Sequence, residues 1–127
     1  MRGGGLGFMF PMMFLKKLDL TPEQEARIRK IMAAHRGSLR SLFERLEAAH
    51  DQLSTKFLTP GELAASDLAP QTQKVNQLRE ELMHEGLKTA LEIRDVLTSE
   101  QLVQAARLQE KMRGIRAEMR QLLGDGK

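Results

Sequence analysis

Three histidines are the residues of this 127-residue chain best suited to coordination chemistry: His35, His50 and His84. Each has a second donor about one helical turn away, in the pairs Met32/His35, Glu47/His50 and Glu80 or Glu81/His84. An imidazole with a thioether or carboxylate at helical spacing is half of a transition-metal site, and a second helix must complete it. With no Cys in the chain, thiolate ligands, thiol nucleophiles and disulfides are all excluded. Met9, Met12 and Met13 could offer soft sulfur to Cu(I). They are interleaved with Phe8, Phe10 and Phe14, however, a composition better suited to an apolar anchor on a partner surface. For each histidine a structural place on its helix outweighs a ligand role. His35, His50 and His84 are thus metal candidates only, and no other cofactor is implied.

Other chemistries fall away quickly. No Gly-rich phosphate loop follows a strand, because the sequence reads as having no strands. Ser and His residues are scattered over different helix faces without the order of a catalytic triad. Pairs such as Glu80-Glu81 are what solvated helices carry. The chain is not expected to be an enzyme. Its 20 Lys and Arg against 17 Asp and Glu leave a mild net charge of +3, and aromatic residues make up 4%. That balance does not suit nucleic acid, which calls for a basic patch with aromatic platforms. There is no run of eighteen apolar residues, so no transmembrane segment is expected.

The elements that must position these residues are helices. Residues 1–18 form a Gly-, Phe- and Met-rich N-terminal arm. Its apolar run ends at Lys16-Lys17 without the small-residue cleavage pattern of a signal peptide, so it is read as the arm of a mature chain. Residues 19–127 form one helical domain. Thr21-Pro22-Glu23-Gln24 is a helix start, with Thr21 as N-cap, Pro22 in the first turn and Gln24 able to close a capping box. The next breaker is Pro60-Gly61, so the first helix is expected from about Pro22 to Phe57. Its stripe of Ile28, Ile31, His35, Leu39, Leu42, Leu46, Ala49, Leu53 and Phe57 keeps a coiled-coil-like spacing, with Gly37 as an expected soft point.

A second long helix is expected from about Pro70 to Val96, after a short connecting segment around Ser66-Asp67. Thr98-Ser99-Glu100-Gln101 then repeats the first start signal and opens a last helix to about Leu123. An antiparallel hairpin turning near Glu62 places His35 opposite about Thr89 and His84 opposite about Arg40, so the two are not aligned. Helices this long carry narrow stripes that a chain of this size cannot close into a round core. They are expected to pair as extended hairpins and then with a second chain, as a homodimer.

Leu20, Thr21 and Gln24, and again Leu97, Thr98 and Gln101, make two copies of an LTxxQ motif. Each opens a long helix. With Ile28-Arg29-Lys30-Ile31-Met32 after the first copy and Ala65-Ser66-Asp67 between the helices, the chain resembles the Spy/CpxP family of periplasmic stress proteins. That family is related to heavy-metal resistance and sensor proteins of the CnrX/ZraP type. The resemblance spans roughly Asp19 to Met112.

The resemblance implies an all-α fold of elongated, bent helical hairpins, about four helices, in a cradle-like antiparallel homodimer exported to the periplasm. It implies an ATP-independent chaperone-like stress protein that holds unfolded or partner proteins on that cradle. The alternative is a periplasmic heavy-metal sensor or resistance accessory binding Zn, Ni or Cu and acting on a membrane sensor partner. Arg27, Ile28, Arg29, Lys30, Met32, Arg36, Leu39 and Arg40 are the candidate client-facing residues, because clients require apolar contacts as well as charge. The two histidines four apart on the first helix of the metal-sensing relatives are missing here, as are the His-rich tails of the zinc-associated ones.

Overall fold

The computed structural model describes residues 15–125. Most of the arm, with Phe8, Met9, Phe10, Met12, Met13 and Phe14, lies outside the described residues. Three α-helices lie wholly within them: α1 (Pro22–Phe57), α2 (Ala69–Arg94) and α3 (Ser99–Asp125), with a single 3-10 turn at Ala65–Leu68 before α2. The described residues are all-helical, as the composition demands. Within this region the four-helix count that the resemblance implied is not shown; Leu15 and Lys16 are helical as well. The connection holds only the four-residue 3-10 turn, because α2 begins at once with Ala69-Pro70.

α1 begins where the capping chemistry puts it. The Gln24 backbone N–H donates to Thr21 Oγ1 at 3.1 Å, and the Thr21 N–H donates to Gln24 Oε1 at 3.0 Å. Pro22 in the first turn loses no hydrogen bond, and Glu23, Glu25 and Lys56 oppose the helix dipole at its two ends. The helix runs unbroken for 36 residues through Gly37, a length of about 54 Å at 1.5 Å per residue. Gly61, at φ +110°, turns the chain at the end of α1, in a backbone region open mainly to glycine.

α1 and α2 are antiparallel. Ile28 shares a buried cluster with Ala90, Ile93, Val96 and Leu97, while Leu42 and Ala49 share another with Val75, Leu78 and Leu82. Rising numbers on α1 thus meet falling numbers on α2. The first cluster also takes in Leu15 and Leu18, at the end of the stretch read as the arm. Leu18 and Ile93 are almost fully buried there, at 1% and 0% exposure. α3 leans on this cluster through Leu102, Ala105 and Leu108. Beyond Met112 its stripe is uncovered, with Ile115, Met119, Leu122 and Leu123 all exposed.

Candidate functional site

The two apolar clusters of the hairpin are separated by a polar waist. On α1 the stripe passes from Ile28, Ile31 and Met32 in one cluster to Leu39 and Leu42 in the other, and His35 lies between. On α2 the corresponding level falls between Leu82 and Ala90. Its buried residues are Gly86 and Thr89, both small. Thr89 Oγ1 is satisfied within the helix, donating to the Glu85 carbonyl at 2.9 Å. The hairpin arithmetic that set His35 opposite about Thr89 agrees with this level.

His35 uses both ring nitrogens to reach α2. Nδ1 lies 2.8 Å from Glu85 Oε2 and Nε2 lies 3.0 Å from Glu92 Oε1. An ionised carboxylate only accepts, so two such contacts require both nitrogens to donate, which is the imidazolium form. The Glu85 hydrogen bond, then that of Glu92, raises the His35 pKa above its ordinary value of 6.5, against an opposing effect of burial. The imidazole is 13% exposed, Glu85 19% and Glu92 44%, so the pair is screened unevenly. Lys88 stands 4.0 Å from the other Glu85 oxygen and helps hold it.

This geometry does not make a metal cage. The carboxylates approach opposite nitrogens of one ring, so the three groups do not converge on a point. Among the described residues no group of three or more His, Cys, Asp or Glu is placed to hold a metal ion. His50 is half-buried on the outer half of α1, in a shallow depression with Phe43, Glu47 and Asp51. His84 is exposed on α2. His35 and His50 share α1 but stand fifteen residues apart, about 22 Å along the axis. The three histidines form no common site.

The client-facing candidates divide by burial. Arg27, Arg29, Lys30, Arg36 and Arg40 are exposed. Ile28 is buried at 6%, and Met32 and Leu39 are half-buried against the two clusters, so these three belong to the core rather than to an open surface. Helical periodicity is the reason: all three lie on the stripe that faces α2, and the basic residues lie between its members. The exposed apolar residues instead include Met83, Leu87 and Leu91 on α2, Phe57 and Leu58 at the end of α1, and Val103 with the distal part of α3.

The two motif glutamines are a feature that local reading treated only as caps. Gln24 and Gln101 are each 8% exposed. Gln101 also closes a capping box with Thr98, whose Oγ1 accepts from the Gln101 N–H at 3.1 Å and whose N–H donates to Gln101 Oε1 at 2.9 Å. The remaining valences of both amides are turned on one another and on the Val96 and Leu18 carbonyls. Leu20 is half-buried and Leu97 buried beside this junction, while Thr21 and Thr98 remain on the surface.

Fold and site together define a Cys-free helical hairpin with a third helix locked to its open end, and no helix among the described residues is long and apolar enough to cross a membrane. A family model described as heavy-metal resistance matches residues 1–104, and the chain belongs to that family. The match supports the heavy-metal resistance relatives within the wider resemblance. No curated protein and no solved structure matches the chain.

Proposed function

We propose that this chain serves heavy-metal resistance in the bacterial periplasm, as a metal-binding accessory or sensor protein without enzymatic activity. Its membership of the heavy-metal resistance family carries the reading. The described residues of one protomer do not assemble a complete cage. The donors best placed are surface half-sites, His50 with Glu47 on α1 and His84 with Glu80 on α2, and a second copy of the chain supplies the remaining ligands. A homodimer built on the uncovered apolar stripe of α3 would bring such half-sites together, and a membrane sensor would read the result. Zn, Ni and Cu suit imidazole and carboxylate donors. Equilibrium dialysis followed by elemental analysis tests the reading. Stoichiometric binding of one of these metals, lost in His50→Ala or His84→Ala, is expected. Absence of binding at micromolar metal would sink it.

A second reading is favoured by one observation, the exposure of Arg27, Arg29, Lys30, Arg36 and Arg40 along α1. Exposed basic residues on α1 with apolar residues elsewhere on the surface suit an ATP-independent chaperone holding unfolded polypeptide. Suppression of the aggregation of a denatured client, unchanged by a chelator, supports this reading over the first.

A further inference from the structure

The waist of the hairpin has a geometry that fits a proton better than a metal. One imidazole spans two carboxylates seven residues apart on the facing helix, at 2.8 and 3.0 Å. The apolar clusters on either side close independently of it. We propose that His35, Glu85 and Glu92 form a proton-operated clamp. Doubly protonated, the ring ties α1 to two points of α2; on losing one proton to solvent it releases the middle of the hairpin while both ends stay packed.

The physical reason is the donor count. A neutral imidazole keeps one N–H and turns a lone pair toward the second carboxylate, so one contact is lost and replaced by repulsion. The groups facing the ring make this charge balance simple. From α2 come Glu85, Glu92 and, through Glu85, Lys88. Along α1 the seam neighbours Ile31, Met32 and Leu39 carry no charge, and Arg36 is exposed. α3 meets the hairpin through the apolar Leu102, Ala105 and Leu108. The raised His35 pKa agrees with the doubly donating ring. Gly37, two residues on, has open space around it and leaves α1 free to flex at this level. The clamp stands whether or not a metal binds at the surface half-sites.

Amide hydrogen exchange of the full chain between pH 6 and pH 9, corrected for intrinsic rates, tests the clamp. Protection in peptides covering residues 32–38 and 85–92 is expected to fall severalfold over this range. Peptides covering 42–49 and 75–82 are expected to hold. His35→Gln should flatten the profile, and Glu92→Gln, at the more exposed contact, should move its midpoint to lower pH without unfolding the chain. His35→Arg, cationic throughout, should keep the waist protected at pH 9. An unchanged pH slope in both His35→Gln and Glu92→Gln overturns the proposal. So does zinc that restores protection at pH 9 in the wild type but not in His35→Gln, because the waist is then a metal site.

Discussion

Gln24 and Gln101, 77 residues apart, exchange a reciprocal pair of hydrogen bonds: Gln24 Nε2 donates to Gln101 Oε1 at 2.8 Å and Gln101 Nε2 to Gln24 Oε1 at 3.0 Å. Each amide completes its valences on main-chain groups. Gln24 Nε2 also donates to the Val96 carbonyl and Gln101 Nε2 to the Leu18 carbonyl, while each Oε1 accepts from the N–H of its own cap threonine. Four hydrogen bonds per amide is the full capacity of the group. The two helix starts are thereby locked together beside the first apolar cluster, and α3 is held to the hairpin at its root.

The costs of breaking the two sides of that lock should not add. Gln24→Leu leaves the Gln101 amide buried with missing partners, a penalty of about 1–3 kcal/mol for each unsatisfied group. Adding Gln101→Leu removes those orphans, so the double variant should be destabilised by clearly less than the sum of the singles. Urea unfolding of the four members of this cycle measures the coupling. Strict additivity would show the pair to be decorative.

Core truncations should separate the hairpin from the projecting helix. Leu78→Ala and Ile93→Ala remove side chains at 1% and 0% exposure, and each should cost about 2–5 kcal/mol. Leu122→Ala, at 74% exposure, should change monomer stability by no more than about 0.5 kcal/mol. Denaturant midpoints at low protein concentration test the contrast.

Gly37 offers a stabilising change. It lies inside α1 in helical conformation, and a Cβ there meets nothing within 4 Å. Gly37→Ala should raise stability by about 0.5–1 kcal/mol through the lost freedom of the unfolded chain. A fall in melting temperature would mean that the helix must bend at this point.

Stability should depend on pH through His35. Its folded-state pKa is raised above 6.5 by Glu85 first and Glu92 second, so the folded state binds the proton more tightly than the unfolded chain does. The resulting stabilisation is complete below pH 6.5 and is lost as pH rises through the folded-state value. Wild type should therefore lose stability between pH 6 and pH 9 relative to His35→Gln. Parallel curves for the two proteins would contradict this.

The distal part of α3 should matter only for assembly. Ile115, Met119, Leu122 and Leu123 are exposed in the protomer. A chain ending at Lys111 should keep the unfolding midpoint of the monomeric hairpin yet sediment as a monomer, whereas the full chain should sediment as a dimer. A truncated chain that still dimerises would place the interface elsewhere.

The helices were legible in the sequence because their signals are local. Thr21 and Thr98, each followed three residues later by Gln, mark starts that agree with the structure, and Pro60-Gly61 marks the end of α1. The stripe from Ile28 to Leu53 correctly assigned the face turned toward α2, but the same stripe shows why Ile28, Met32 and Leu39 are not surface residues. The partners of His35 were half legible: the turn position sets it opposite Thr89, and Glu85 and Glu92 flank that level by four and three residues. Pairing each histidine only with donors on its own helix obscured them.

What the sequence determined by itself is therefore the inventory of helices, their caps and the apolar seam, since backbone hydrogen bonds and capping reach only three or four residues along the chain. Whether His35 meets a metal, water or a pair of carboxylates depended on the docking of α1 against α2. Only that docking sets two carboxylates of α2 within 3.0 Å of one ring. Tertiary structure likewise turned two separate capping glutamines into one buried lock, and left the far end of α3 without a partner among the described residues. These outcomes rest on contacts between residues 50 to 83 apart, where the angle and depth of helix packing decide which polar groups meet.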